Sequence, residues 1–249
     1  MLLNLLYASD EMRTHLMQNL TTSEAFFMII VVAVAGMIVQ WRLRSVMTKY
    51  SKVQLPAGLT GAQIAEKMLA AYNIHDVKVI STSGFLTDHF DPRNKTVNLS
   101  DEIYHGSSIT AAAVACHECG HAVQHATGYA PLRMRTALVP LVNVSSRLAT
   151  WIVILGLIMT ASSGSQILCW VGVGLMCMSA LFSIITLPVE YNASDRALAW
   201  LQSSGTLSAS EMAGAKISLR WAARTYLVAA LSAIASILYY VALINGRRK

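Results

Sequence analysis

Charged residues are scarce in this chain of 249 residues, since aspartate, glutamate, lysine and arginine together make up only 13% of it. Hydrophobic residues account for 55% of the sequence, and the mean hydropathy is +0.50. A composition so poor in charge is unlike that of a soluble globular protein. It predicts a protein that is integral to a membrane.

Acidic residues are scarcer than basic ones, which leaves a formal net charge of +6. The sequence shows no basic stripe interleaved with aromatic residues, so this excess does not indicate nucleic-acid binding. Lysine and arginine flanking membrane spans explain the excess better.

Cysteine is also scarce, with four residues in the chain. Cys116 and Cys119 form a Cys-x-x-Cys pattern within an apolar stretch, and Cys169 and Cys177 lie in another. We expect small buried side chains here rather than a disulfide framework, a redox pair or a cysteine zinc site.

Long stretches without charge predict about four transmembrane helices. The first runs from Ala25 to Trp41, and two more fit into residues 148–189, which carry no charge. The polar segment 162–166 separates those two, and the last span covers Tyr226 to Ile244. A hydrocarbon core of about 30 Å needs roughly 20 residues of helix, which these stretches approach or match.

The basic residues predict the orientation of these spans. Arg42, Arg44, Lys49 and Lys52 follow the first span, whereas Arg13 alone precedes it. Basic residues favour the cytoplasmic side, so we expect the N-terminus outside and the following segment in the cytoplasm of a multi-pass protein of the cell (inner) membrane. The loop basic residues at 216, 220 and 224 agree, and the basic tail 247–249 does not.

The predicted fold class is therefore a mostly α membrane protein with a small cytoplasmic α+β subdomain. Residues 59–72 predict a helix, and Val77–Ile80 and Thr96–Leu99 predict strands. We interpret Thr96–Ser100 either as an edge strand that pairs with an extended substrate or as an ordinary core strand. The predicted organisation is 1–44, N-terminal segment and first span; 45–135, subdomain with the metal helix; 136–189, transmembrane hairpin; 190–225, cytoplasmic helices; and 226–249, last span and tail.

An alanine-rich stretch starting near Ser108 and ending at Gly128 predicts a helix that carries a metal-binding motif. His117 and His121 stand four residues apart, so both imidazoles project from one face of this helix. With Glu118 they form His-Glu-x-x-His, in which two histidines bind Zn²⁺ and the glutamate is the general base for a bound water. We expect one zinc ion per chain.

A third ligand follows from counting membrane crossings. Two spans return the chain to the side it left, so Glu190, the first charge after them, emerges on the same face as the two histidines. A His₂Glu set with water in the fourth position is a catalytic arrangement. Two alternatives are an interfacial Glu190 bonded to nearby serines, and His125 as third ligand, although His125 lies roughly 12 Å along the helix from His117.

Four motifs together resemble the bacterial membrane zinc metallopeptidases of the YugP type (neutral zinc metallopeptidases), and more distantly the HtpX and CAAX-prenyl endopeptidases. The motifs are Leu86–Pro92, Ala115–His125, Pro131–Arg133 and Thr186–Ser194. The resemblance implies zinc on His117, His121 and Glu190, with Glu118 as base. The wider group has aspartate where Ser194 stands here, so Ser194, Asn192 or Asp195 would take over that supporting role.

Other residues are weaker candidates. His125 is expected in a supporting contact or at an exposed interface. Asp88, His89 and Asp91 are expected either to bind substrate or a structural ion, or to make the hydrogen bonds of an Asp-Pro turn. An oxyanion-stabilising group is needed, and the candidates are His89, Tyr104, Tyr191 and Arg196.

The sequence predicts a membrane-embedded zinc metalloendopeptidase that cuts membrane proteins or peptides at the cytoplasmic interface. Its expected partners are the lipid bilayer and that substrate, with no nucleic acid. The alternatives are a non-catalytic metal-binding scaffold or regulator of membrane proteins, and a zinc hydrolase that acts on lipid or another non-peptide substrate.

Overall fold

A computed structural model describes residues 20–84 and 86–246 of the chain. These residues are mostly helical, with one small sheet. Expectations for residues 1–19 and for the basic tail 247–249 lie outside the described residues. The elements are α1 (Thr22–Ser51), α2 (Gly61–Ala71), β1 (Lys78–Thr82), β2 (His89–Asp91), β3 (Thr96–Ser100), α3 (Asp101–His105), α4 (Ile109–Ala126), α5 (Ala130–Ser163), α6 (Ile167–Ser203) and α7 (Ala209–Gly246).

Four of these helices, α1, α5, α6 and α7, are long and apolar enough to cross a membrane. This confirms the predicted number of spans. The helices have 30 to 38 residues, more than the roughly 20 that a bilayer core requires. The predicted segment boundaries after residues 44, 135, 189 and 225 each fall inside one of these helices, so they mark changes of composition along continuous helices.

The described chain divides by its internal contacts into two units, the first made of residues 20–36, 138–183 and 228–246. Large apolar side chains are exposed on this unit, among them Phe27, Trp151 and Ile167, as expected of a surface that faces lipid. Its helices approach closely at a glycine: a Cβ at Gly156 would lie 2.5 Å from the backbone nitrogen of Cys169.

The second unit, residues 37–137 and 184–227, contains the sheet. The strand order is β1-β3-β2, with β1 parallel and β2 antiparallel to β3. Val97 and Leu99 of β3 are fully buried. The strand Thr96–Ser100 is therefore the central one, and its interpretation as an edge strand is wrong, because β2, too short to predict from its three residues, pairs along its other side.

The helix that carries the His-Glu-x-x-His pattern, α4, forms the centre of this second unit. Ser108 caps its first turn by accepting a hydrogen bond from the backbone nitrogen of Ala111. Gly128, just beyond its end, has a φ of +64°, which a glycine adopts without strain. The alanines of its first half are buried against α2, whose Ile64 and Met68 belong to the same apolar core. The sequence limits predicted for this helix are confirmed.

Candidate metal centre

Helix α4 presents His117 and His121 side by side. Their ring centroids lie 4.8 Å apart, and the rings meet edge to face. Both side chains belong to the buried interior of the second unit, His121 fully and His117 in part. The four-residue spacing therefore produces the pair of imidazoles that the sequence predicts.

Helix α6 brings Glu190 to these two rings. Its Oε2 atom lies 3.3 Å from Nε2 of His117 and 3.6 Å from Nε2 of His121. One ligand atom from each of the three residues lies within 4.8 Å of the others. The Glu190 carboxyl is only 2% exposed, so it is held away from water, where a carboxylate needs a positive partner.

A glycine allows the two helices to meet this closely. A Cβ at Gly120 would lie 2.5 Å from the carbonyl oxygen of Ala193, on the turn of α6 that follows Glu190. A side chain there would push the helices apart and carry Glu190 away from the histidines. Gly120 is thus the residue of the His-Glu-x-x-His helix that sets the distance to the third ligand.

The three residues fit a zinc ion. In a tetrahedral site with bonds of about 2.0 to 2.2 Å, neighbouring ligand atoms stand roughly 3.3 to 3.6 Å apart. The separations from Glu190 Oε2 to the two imidazole nitrogens, 3.3 and 3.6 Å, match this range. Two imidazoles and one carboxylate are also the ligand types of a catalytic rather than a structural zinc site.

Gln124 fixes the orientation of His121. Its Oε1 atom lies 3.0 Å from Nδ1 of His121, while its Nε2 donates to the Val189 carbonyl at 2.8 Å and to Asn192 Oδ1 at 3.0 Å. An amide oxygen only accepts, so Nδ1 of His121 carries the proton. Nε2 of His121 is then the ring nitrogen that faces Glu190, and it is the nitrogen that can bind a metal once it has lost its own proton.

Ser194 supports the other histidine. Its Oγ atom lies 3.1 Å from Nδ1 of His117. Asn192 instead accepts from Gln124 and from Nε of Arg196, the latter at 2.8 Å, and Asp195 is exposed. Of the three residues that the sequence left open, Ser194 is the one that contacts a ligand histidine.

Glu118 lies beside the ligands, in the wall of a cavity that also includes His117 and Glu190. Burial raises the pKa of the Glu118 carboxyl, and the charges of the two neighbouring histidines oppose that rise. Burial lowers the pKa of His121, but the hydrogen bond to Glu190 and the negative charge of Glu118 outweigh it, so the net shift is upward. The net effect raises the pKa of Glu118, a perturbation of the kind found at functional sites.

Comparison with known proteins agrees with this site. The chain matches the family described as "Putative neutral zinc metallopeptidase" over residues 25–245. The chain belongs to this family. It is also 40% identical over 209 residues to "Putative membrane protease YugP" of Bacillus subtilis (strain 168), an alignment covering 84% of this chain and 91% of that protein. No solved structure matches the chain.

Membership in the metallopeptidase family implies zinc, and the donor types of His117, His121 and Glu190 suit that metal. The resemblance to the YugP type is confirmed. Three findings together support a membrane protein of the zinc protease kind. They are the zinc metallopeptidase family, the relative named a membrane protease, and the four helices that are long and apolar enough to cross a membrane.

Two residues that the sequence did not indicate also approach the ligand carboxylate of this family member. Arg135 at the start of α5 places Nη1 3.5 Å from Glu190 Oε1. Tyr226 of α7 lines the same cavity, with its phenol directed to Glu190. Neither has a local signal, since both come from distant helices. Gln124, by contrast, stands three residues after His121, a spacing that could have indicated its contact.

Several predicted residues lie away from the three ligand atoms. His125 is exposed and contacts Phe90, with the ring centroids 5.8 Å apart and the ring planes tilted by 54°. His89 is exposed and its Nδ1 lies 2.7 Å from the Thr87 carbonyl. Tyr104 meets the ring of His105 edge to face, and Tyr191 is 43% exposed. The geometry therefore gives His125 no place as third ligand.

Asp88 has a structural contact and also faces the cavity. It accepts hydrogen bonds from the backbone nitrogen of Ser100 at 2.7 Å and from its hydroxyl at 3.1 Å. Burial raises the pKa of Asp88, and these hydrogen bonds partly offset the rise. It thereby ties the segment before β2 to the end of β3, next to Glu118.

The cysteines of α4 lie on its core side. Cys116 and Cys119 are both fully buried and unpaired with each other. Burial raises the pKa of each thiol, so they stay protonated and poorly reactive. They pack as small apolar side chains.

Proposed function

We propose that this protein hydrolyses peptide bonds in membrane proteins or membrane-associated peptides at the cytoplasmic interface, with Glu118 as the general base. The observation that carries the proposal is the meeting of His117, His121 and Glu190 beside the buried carboxyl of Glu118, all next to one cavity. Family membership supports the same activity.

His117 and His121 would hold zinc through Nε2, and Glu190 through Oε2. Bound there, zinc would supply Lewis acidity and lower the pKa of a coordinated water from 15.7 toward about 7. Glu118 accepts a proton from the attacking water and then delivers it to the leaving amine. Gln124 and Ser194 keep the two imidazoles in the orientation that this requires.

The sheet of the protein offers an edge strand to which a substrate backbone can add. Because β3 is central, β2 forms one edge of the sheet, and it follows directly on Asp88 in the cavity wall. An extended peptide that adds to β2 gains main-chain hydrogen bonds without requiring one sequence. We therefore move the predicted substrate-pairing role from Thr96–Ser100 to His89–Asp91.

Two observations support the proposal that the substrates lie in or near the bilayer. The chain has four helices suited to a membrane, and its Bacillus relative is named a membrane protease. The basic residues in the last part of α1 and in the first half of α7 favour the cytoplasmic side for the second unit. An active site on that side, next to membrane spans, encounters membrane proteins before soluble ones.

The exchange Glu118→Gln tests the assignment of the base. Its neutral amide cannot take the proton, so we expect zinc content to stay near one per chain while cleavage falls by about 10²- to 10⁴-fold. The measurement is metal analysis of the purified variant together with cleavage of a detergent-solubilised membrane protein. Glu66→Gln on the exposed side of α2 is the matched control.

Cleavage by the Glu118→Gln variant at the rate of the parent would refute the base assignment. Cleavage by neither protein, with association to other membrane proteins unaffected by the exchange, would favour the non-catalytic scaffold instead. Release of a lipid product without peptide cleavage would favour the alternative of a zinc hydrolase that acts on a non-peptide substrate.

A further inference from the structure

A cavity of about 280 Å³ adjoins the proposed ligands. Seven of its fourteen lining residues are apolar, and six of these seven come from three helices. These side chains are Leu43 and Met47 of α1, Val114 of α4, and Leu219, Ala222 and Ala223 of α7. Leu43 and Met47 stand one helical turn apart on α1, as do Leu219 and Ala223 on α7, so each of these two helices contributes an apolar pair to the wall. Gln40, Thr225 and Tyr226 add polar groups from the same two helices.

The cavity is continuous with the catalytic residues. His117, Glu118 and Glu190 form part of the same wall. A peptide bond presented to Glu118 therefore directs a flanking side chain into the apolar part. We infer that this cavity is a specificity pocket for one bulky apolar side chain next to the scissile bond. This inference rests on the proposed function. The substrate class is then peptides with leucine, methionine or phenylalanine at that position.

The size of the cavity suits such a side chain. An apolar cavity of about 150 Å³ is large enough to bind benzene. The space here, about 280 Å³, is larger. Ala222 and Ala223 contribute only methyl groups to the α7 wall, so this wall leaves room that larger residues would fill.

The apolar part of the wall disfavours acidic side chains. An aspartate or glutamate of the substrate placed against Leu43, Met47 and Leu219 would be buried without a positive partner, which costs free energy. The pocket therefore selects for bulk and against negative charge.

A peptide library tests this selection. The zinc-loaded protein is incubated with a mixture of peptides of known sequence, and the residues on both sides of each cut are read by mass spectrometry. We expect leucine, methionine and phenylalanine to be favoured at one position by about tenfold or more over alanine, and acidic residues to be depleted there. Cleavage without any such preference would overturn the pocket and leave the proposed function intact.

Two exchanges on α7 change the pocket in opposite directions. Ala222→Leu fills it, so the ratio of kcat/KM for leucine over alanine peptides should fall by about tenfold. Leu219→Ala enlarges it and should shift the preference toward phenylalanine and tryptophan. Ala213→Leu, on the exposed side of the same helix, is the matched control and should leave the ratio as in the parent. An unchanged ratio in both pocket variants would refute the inference.

Crosslinking gives a readout that is independent of cleavage. A peptide with benzophenone-alanine at the selected position, bound to the Glu118→Gln variant and irradiated, should crosslink to Met47 or Leu219. If the cleavage position is not yet known, a series of peptides is used in which the benzophenone-alanine stands at each position in turn. Crosslinks confined to other surfaces would overturn the pocket even if no peptide were cut, whereas loss of cleavage alone would count against the proposed function.

Discussion

Gln124 offers a quantitative test of how the site is held together. It is fully buried, and its amide links His121 on α4 to Val189 and Asn192 on α6. The exchange Gln124→Leu keeps similar bulk but removes all three hydrogen bonds. The Nδ1–H group of His121 then has no acceptor, and an unpaired buried donor costs about 1–3 kcal/mol.

The expected effect on metal binding follows from the role of that hydrogen bond. Losing the partner of a ligand histidine weakens metal affinity by about 10- to 100-fold, which corresponds to roughly 1.4–2.7 kcal/mol. Gln124→Glu keeps an acceptor for His121, so it should retain zinc better than Gln124→Leu. Gln202→Leu, at an exposed position of α6, is the control for the same change of side chain.

The assay is competition for zinc between the purified protein in detergent and a chromogenic chelator. A zinc affinity of Gln124→Leu within about threefold of the parent would show that this hydrogen bond does not orient His121, since the expected loss is at least tenfold. Equal loss in Gln124→Glu and Gln124→Leu would point to packing rather than to the acceptor.

Three further predictions concern Ser194, Asp88 and the orientation in the membrane. Ser194→Ala should weaken zinc binding by about tenfold in the chelator assay, whereas Ser194→Asp, which accepts more strongly from His117, should not. Because burial raises the pKa of Asp88, its folded form holds the proton more tightly than the unfolded chain, and stability falls as the pH rises from the ordinary aspartate pKa to the raised one. Asp88→Asn should remove that fall in unfolding measurements at several pH values, while Asp88→Ala should cost about 1–3 kcal/mol. A cysteine at Ser204 should be shielded from an impermeant maleimide in intact cells and one at Ser165 labelled, and the reverse pattern would invert the proposed orientation.

Local chemistry made the closeness of the three proposed ligands predictable from the sequence. The spacing of His117 and His121 on a helix leaves one common face, and that relation holds whatever surrounds the helix. Glu190 was found by counting membrane crossings, which constrains a membrane chain more strongly than a soluble one. Both inferences needed only the chain order and the length of apolar segments.

Contacts between distant segments were not predictable in the same way. The central position of β3 depends on pairing with β2, whose three residues His89–Asp91 are too few for an alternating pattern. Arg135 and Tyr226 reach Glu190 from two other helices, and no spacing in the sequence connects them. The choice of Ser194 over Asn192 likewise depends on how α6 is rotated against α4.

The lengths of the membrane-spanning helices were a further feature that the sequence did not predict. Pro140 and Pro188 both lie inside helices, although proline removes a backbone donor and usually ends a helix in water. In apolar surroundings the cost of leaving helical hydrogen bonds unmade is higher, so a helix continues through such a residue. The membrane spans and their extensions into the second unit are therefore single helices.

Zinc content of the purified protein tests the central claim most directly. After dialysis against a chelator of moderate affinity, the parent and His125→Ala should each retain about one zinc per chain, since His125 is not a ligand. His117→Ala and Glu190→Ala should retain far less. A parent without bound zinc, or a Glu190→Ala variant that keeps it as the parent does, would contradict a metal centre formed by these three residues.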